Sequence, residues 1–342
     1  MFLKSLFLKD FRNYDEAYFE FTPGINYICG PNAIGKTNLL EAVFLVSTGK
    51  SFRTSALKEL IRSGANSFAL AAQIEKQGVK QTLELRFDGV EKFLRIDASS
   101  YKSFSPLLGM LPHVILTPEA VQFIQGSPLE RRRFLDFHLA QSDPLYVHHY
   151  LRFTKAMKNR NELLRRNDLT TIESWEEILT TSASYLVVQR KRAVEELAPK
   201  LKNMSLHYKP SLSFQHIEEV PKRIKHRLEK LRPKEILLGY TLTGPHRDDL
   251  SLTIDGKEAR EFASEGQKRT CLANLRLAEW QRLLEHTESP PLFSVDDFAI
   301  HLDADRQSRL EEELHRLSQV FLTSPHSPST TLSMANVLSL QS

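Results

Sequence analysis

The spacing of apolar residues changes twice along the chain, and the changes divide it. Residues 2–8 and 18–21 alternate apolar and polar positions, the two-residue period of strands that bury one face. Residues 25–29 form a short continuous apolar run, which predicts a buried strand, and 38–46 predict a helix. Three strand-like runs follow at 67–74, 81–87 and 92–96, separated by short turns containing Gly or Asp, as in an antiparallel meander. Residues 113–116 add a short strand that ends at Thr117-Pro118. From about Glu119 the period lengthens to that of helices, over 129–140, 145–165, 172–201 and 222–231, with breaks at Pro128, Pro144 and Pro199. Strand character returns near Tyr240 and at 250–254. A helix is expected at 266–284, a strand at 292–295, a helix at 304–317 and a last core strand at 320–322. The Ser/Thr-rich tail from Ser324 is expected to be loose, with 337–340 able to add one edge strand. There is no internal repeat. The pattern is α/β, interrupted by an α-rich insertion.

Between the strand at 25–29 and its helix lies Gly30-Pro31-Asn32-Ala33-Ile34-Gly35-Lys36-Thr37, a phosphate-binding loop pattern. Small residues let backbone N–H groups close around phosphate oxygens. Lys36 supplies a point charge for the β- and γ-phosphates, and the Thr37 hydroxyl a ligand for Mg²⁺. The helix that opens at Asn38 adds the partial positive charge of its N-terminus. A chance Gly-rich turn is the bland alternative, and the flanking strand and helix argue against it.

Net charge is only +4, but it is uneven: residues 151–240 hold 19 Lys and Arg against 11 Asp and Glu. A basic middle suits a polyanion partner, or simply a solvated helical surface. Arg131, Arg132 and Arg133 are the densest cluster. They could hold phosphate, or form the polar face of a helix whose Phe134, Leu135 and Phe137 pack inward. Two cysteines, Cys29 and Cys271, argue against a disulfide framework and for a reducing, cytoplasmic setting. No apolar run reaches the ~18 residues a membrane span needs, and residues 1–10 read as a strand, not a signal peptide.

Two distant stretches narrow the choice among phosphate-loop folds. Leu292 to Asp297 has the form of a Walker B strand: Asp296 would hold Mg²⁺ and Asp297 would polarise the attacking water. Upstream, Ser264-Glu265-Gly266-Gln267 leads into a helix and resembles the signature motif of ABC-type ATPases, which binds the γ-phosphate of ATP held by the opposite subunit. The resemblance implies a site split between two chains of a symmetric dimer. Ser264 and Gln267 also have the spacing of a capping box, and both readings can hold.

Four stretches together resemble the RecF family, recombination-mediator ATPases related to the SMC-type ABC proteins. They are Phe11-Arg12-Asn13-Tyr14 with the phosphate loop through Thr54; Pro118-Glu119 through Gly126-Ser127-Pro128 to Asp136; Thr243-Gly244-Pro245-His246-Arg247-Asp248-Asp249-Leu250; and Ser264 through Asp296-Asp297 to Leu302-Asp303. The resemblance implies an ABC-type ATPase head with a mixed sheet around the phosphate loop plus antiparallel strands. Residues 1–118 and 241–342 would form this head and 119–240 a helical insertion without a long coiled coil. It implies a weak, Mg²⁺-dependent, DNA-stimulated ATPase of recombinational repair and replication-fork maintenance. ATP would close a homodimer on double-stranded or gapped DNA, slow hydrolysis would release it, and RecO and RecR would be helped to load RecA. The setting implied is cytoplasmic and nucleoid-associated, with no membrane.

By the same resemblance Asn13 would line the base or ribose, Asn38 would join the nucleotide site, residues 117–119 would stand near the Q-loop position, and Asp303 would be the D-loop residue reaching across the dimer. Some positions depart from the family pattern. Ala33 stands where Gly is frequent, Ile300-His301 where Ser-Glu is common, and Lys268 where Gln is frequent, a change expected to suit the surface. Thr323 stands where a transporter ATPase has its switch His. Two other classes remain in view. A transporter's ATPase subunit would share the nucleotide motifs but rarely the stretches at 131–133 and 243–250. A phosphate-loop kinase would lack the Ser264 signature.

Overall fold

The structure, a computed structural model, describes every residue except 77, 299–303, 329–331, 333 and 342, and for 304–306 the backbone alone. The chain divides into two compact units, one of residues 1–120 and 269–342, the other of 121–268.

The first unit opens with β1 (Phe2–Phe11), β2 (Tyr14–Glu20), β3 (Gly24–Cys29) and α1 (Lys36–Thr48). It continues through β4 (Phe68–Lys76), β5 (Val79–Phe87), β6 (Lys92–Ile96), β7 (Ser99–Tyr101) and β8 (His113–Leu116). Six of these make an antiparallel sheet in the order β2-β1-β4-β5-β6-β7. The strand-like run expected at 67–74 is β4, which buries Phe68, Leu70, Ala72 and Ile74 and leaves Ala69, Ala71 and Gln73 more open, whereas the alternation expected at 2–8 is broken in β1 by a register shift between Leu3 and Ser5.

The second unit holds α2 (Gln122–Gln125), α3 (Pro128–Ser142), α4 (Pro144–Arg166), α5 (Ile172–Leu197), β9 (Ser205–Lys209), α6 (Val220–Leu238), β10 (Asp249–Ile254), β11 (Lys257–Glu258) and α7 (Ala259–Phe262). The predicted prolines open helices here: Pro128 and Pro144 sit in the first turns of α3 and α4, where no N–H partner is lost. The Asp143 carboxylate caps α4 by accepting from the N–H groups of Leu145 and Tyr146, and Asn167 ends that helix at φ 52°. At its centre α4, α5 and α6 share a buried ion cluster in which Arg160 donates to Glu176 at 2.8 Å and to Glu235 at 2.7 Å. That anchor explains why α6 runs on through Pro233, where the sequence predicts an end at 231.

Helix α8 (Glu265–His286) brings the chain back to the first unit, followed by β12 (Leu292–Val295), α9 (Ala304–Leu314), β13 (Gln319–Ser324) and β14 (Asn336–Ser339). The return falls after Lys268, not at 241, because β10 pairs with β9 and β11 in a three-stranded sheet of the second unit. No strand forms at Tyr240; a turn and short irregular segment lead from α6 to β10.

The phosphate-loop strand lies in a second sheet of the first unit, ordered β14-β3-β13-β12-β8 and parallel throughout. It is therefore not itself mixed; the antiparallel strands keep to their own sheets. Ile25, Tyr27, Val320, Leu322, Phe293 and Val295 pack against Trp280 and Leu283 of α8 and Leu310 and Leu314 of α9. Helix α1 is buried almost all round, from Leu39 to Thr48. The tail is not loose at its end. Residues of β14 pair with β3 from Asn26 to Cys29, and the Asn336 amide donates to Asn26 Oδ1 at 3.0 Å.

Candidate nucleotide-binding site

The site is built where β3 ends and α1 begins. The intervening loop needs a backbone that only glycine adopts freely at two places: Gly30 has φ 152° and Gly35 φ 117°. Neither has room for a side chain. A Cβ on Gly30 would meet the Leu340 carbonyl oxygen at 2.7 Å, and one on Gly35 the Asn13 amide nitrogen at 2.7 Å. Ala33 also takes a left-handed φ, 65°, so the departure from Gly there carries a strain of roughly 1–2 kcal/mol. The N-cap of α1 is Gly35 and offers no side-chain cap, leaving the first N–H groups of the helix for an anion. The Lys36 ammonium is folded onto the loop and donates to the carbonyls of Gly30 and Pro31, each at 2.8 Å. This is a cradle of donors with its cation close by, and its residues fit a nucleotide's phosphates.

Asn13, 25 positions from Asn38 in sequence, does reach the loop. Its amide nitrogen donates to the Ile34 carbonyl at 3.0 Å, and its Oδ1 accepts from the Asn38 amide at 2.8 Å. Tyr14 donates its phenol to the Gly35 carbonyl at 3.0 Å, and burial pushes that phenol's pKa up. Behind them Glu41, wholly buried on α1, accepts from Arg12 at 2.8 and 2.9 Å and lies 3.5 Å from Arg53. Arg53 also donates to Asn38 Oδ1 at 2.9 Å. So the β1–β2 turn, the first helix and the polar turn after it are fastened together by charge-assisted bonds. Sequence spacing alone does not single out this Arg12–Glu41–Arg53 cluster. Its one legible signal is a carboxylate on the apolar face of a helix, which must have a partner.

Two strands along the same sheet from β3, Asp296 follows directly on β12. Thr37 Oγ1 donates to its two carboxylate oxygens at 2.9 and 3.1 Å. The hydroxyl and carboxylate expected to share Mg²⁺ are therefore adjacent, although 259 residues separate them in sequence. Thr323, at the end of β13, donates to Asp296 Oδ1 at 2.7 Å and accepts from the Asp297 N–H at 2.8 Å. The position that would hold a switch His in a transporter thus tethers both carboxylate residues. Burial raises the pKa of Asp296 above the usual carboxylate value, opposed by the Thr323 and Thr37 hydrogen bonds and assisted by the negative charges of Asp297 and Glu119. Glu119 comes from the segment expected at the Q-loop position. Asp297 itself turns off the strand at φ 53°.

Ser264, Gly266 and Gln267 stand in the second unit, at the start of α8. The capping box is formed: Gln267 Oε1 accepts from the Ser264 N–H at 2.8 Å and Ser264 Oγ from the Gln267 N–H at 3.3 Å. Ser264 and Gln267 are exposed. Lys268 is not a surface residue; it is buried and pairs with Glu265 at 3.0 Å. Asp303, like 300–302, lies outside the described residues.

The arginine triplet is mostly consumed inside the second unit. Arg131 is buried and makes a two-pronged pair with Asp249 at 2.7 and 3.0 Å while donating to the Gly126 carbonyl at 3.0 Å. Arg132 donates to the Asp248 carbonyl at 2.8 Å. Arg133 alone is exposed, paired with Glu130. This corrects the triplet as a phosphate-holding cluster: two members of it fasten α3 to the stretch at 243–250. Asp248 of that stretch in turn accepts from Arg190 at 3.0 Å and from Tyr208.

Comparison with known proteins gives the site its context. Residues 2–341 match the family described as RecF/RecN/SMC N terminal domain. The chain is 44% identical over 336 residues to the DNA replication and repair protein RecF of Protochlamydia amoebophila, covering 94% of each chain. It is 38% identical over 348 residues to the protein of that name from Chlamydia abortus, covering 98% of this chain and 95% of the relative. Among solved structures, the recombination mediator protein RecF bound to ATP, of the RecFOR pathway, superposes with TM-score 0.88 at 29% identity, covering 96% of this chain and 92% of that one. An SMC head bound to the C-terminal winged-helix domain of ScpA gives TM-score 0.52 at 17% identity, a likeness of fold.

Proposed function

The chain belongs to the RecF family, within the RecF/RecN/SMC N-terminal group, and from that premise we propose that it is an ATP-gated DNA-binding protein of recombinational repair and replication. The observation that carries the reading is the meeting of Thr37 and Asp296 beside the uncapped start of α1. In this reading the backbone N–H groups of residues 33–37 and the Lys36 ammonium hold the phosphates, and Thr37 and Asp296 hold Mg²⁺. ATP-Mg²⁺ supplies the negative charge that draws two subunits together and the bond whose hydrolysis lets them part. Lys36 leaves the Gly30 and Pro31 carbonyls to meet that charge. Asp297, its N–H held by Thr323, positions the attacking water and accepts its proton.

Ser264, Gly266 and the N-terminus of α8 act in trans, on the nucleotide of the partner subunit, and Asp303 belongs to the same junction. The capping box holds Ser264 at the exposed start of α8, the position from which this role would be played. The closed homodimer holds double-stranded or gapped DNA, and slow hydrolysis releases it. The RecFOR setting of the solved relative supports RecO and RecR as partners, with RecA loading downstream. The first unit with its two sheets serves as the ATPase head, and the second as the insertion lobe.

Analytical ultracentrifugation of the wild type and of Ser264→Arg tests the reading, with and without ATP-Mg²⁺ and then with labelled gapped duplex. The expected result is an ATP-dependent dimer that binds the duplex, and a variant that still binds ATP but stays monomeric. Normal ATP-dependent dimers from Ser264→Arg would sink the shared site.

A further inference from the structure

With Arg131 and Arg132 consumed internally, the positive balance of the second unit is displayed elsewhere, and it is concentrated on α6. The helix VPKRIKHRLEKLRPKEILL carries seven Lys and Arg against two Glu. Glu235 is buried with Arg160, Arg223 pairs with Glu219, and Arg232 with Glu176. Lys222, Lys225, Arg227, Lys230 and Lys234 are exposed and have no ion-pair partner among the described residues. Val220, Ile224 and Leu228 mark the buried face. At ~3.6 residues per turn Lys222 and Lys230 fall on the side away from that face, with Lys225 to one flank and Arg227 and Lys234 to the other.

The arrangement works against the stability of the helix. Cations three and four residues apart repel by a few tenths of a kcal/mol per pair, and Lys222 stands in the first turn, where the macrodipole disfavours positive charge. Glu229 is the single exposed carboxylate of the helix. From residue 222 to 234 the axis rises about 18 Å, the length of roughly five base pairs of duplex, whose phosphates bring one charge per ~1.7 Å. The exposed face has no Phe, Tyr or Trp on which an unpaired base could stack, which favours the duplex backbone over a single strand.

We propose that the outward face of α6 is a duplex-phosphate-binding surface, sequence-independent, with Lys222, Lys225, Arg227, Lys230 and Lys234 as its contacts. This rests on the reading of the chain as a DNA-binding protein and assigns that binding a place.

The test is a full-length triple variant, Lys222→Gln, Lys225→Gln and Lys230→Gln, beside a charge-keeping triple of Lys→Arg at those positions. Each is assayed for ATP-dependent dimerisation and for equilibrium binding of a blunt fluorescent duplex over a salt series. The expected result for the Gln variant is a dimer like wild type, duplex affinity at least ~10-fold weaker at low salt, and a slope of log K against log salt reduced by about two to three. The Arg variant retains wild-type affinity and slope. Unchanged affinity and slope in the Gln variant, with wild type binding normally, would overturn the assignment to α6 alone. A wild type that dimerises with ATP yet binds no duplex would overturn the DNA-binding reading and α6 with it. Loss of binding to an acidic protein or to anionic vesicles, with duplex binding intact, would also overturn it.

Discussion

At Asp296 two requirements meet in one carboxylate: it must be ionised to hold a cation and it must sit where burial disfavours ionisation. Its pKa is raised, so the folded state holds the proton more tightly than the unfolded chain does. Stability from this group is present below the ordinary carboxylate range and is lost as pH climbs from there through the raised folded value. Asp296→Asn in nucleotide-free protein is expected to raise the melting temperature at pH 7, with the gain shrinking as pH falls toward about 4. Calorimetry across that range checks it, and a variant less stable at pH 7 would contradict it. Thr323→Val removes the hydroxyl shared by Asp296 and the Asp297 N–H, and is expected to lower kcat for ATP hydrolysis about 10-fold or more with nucleotide affinity retained. Lys36→Ala, by contrast, should abolish binding itself, measured by equilibrium titration with a fluorescent nucleotide. Lys36, Thr37 and Asp296 were legible because their roles are written in local spacing. The tethering role of Thr323 was not, because a threonine at the end of a short strand has no pattern of its own.

Among elements, the phosphate-loop helix and the strand of Asp296 are joined by a buried bridge. His113 on β8 lies 2.7 Å from Ser47 Oγ of α1 through Nδ1 and 2.7 Å from Ser294 Oγ of β12 through Nε2. Ser47 also donates to the carbonyls of Val43 and Phe44, each at 3.0 Å, so its single proton is used there and the ring carries its own on Nδ1. Burial pushes the His113 pKa down to about 3, which keeps the ring neutral at any working pH. His113→Leu leaves the buried Ser294 hydroxyl without its acceptor, while Ser47 keeps the Val43 and Phe44 carbonyls, and should cost about 1–3 kcal/mol in denaturant unfolding, and Ser294→Ala about 1 kcal/mol. The strands and helices flanking the loop followed their periods and were predictable. Helix α6 passed its expected end, and β9 went unseen, for a shared reason. Burying Glu235 against Arg160 and pairing β9 with β10 are long-range gains, and local propensity does not register them.

For the whole molecule, the α/β class and the interruption by a helical stretch could be read from the change of period near Glu119. The second crossing could not, since β10 and β11 look like strands of either sheet until their partners are known. The second unit depends on charges placed where they are costly. Arg160→Met leaves Glu176 and Glu235 without their shared cation, and should cost roughly 3–5 kcal/mol of that unit's stability. Limited proteolysis would reveal it as cleavage between residues 121 and 268 at temperatures where the wild type resists. One further consequence concerns the tail. Strand β14 lies beside β3, the Leu340 N–H is bonded to the Cys29 carbonyl at 2.8 Å, and the Leu340 oxygen lies 2.7 Å from where a Cβ on Gly30 would be. The chain leaving the last strand is thus bonded to the residue just before the phosphate loop and lies close against the loop's first glycine. Amide hydrogens of residues 336–340 should therefore exchange with deuterium more slowly when nucleotide fills the loop, which makes the tail a built-in gauge of occupancy that needs no label.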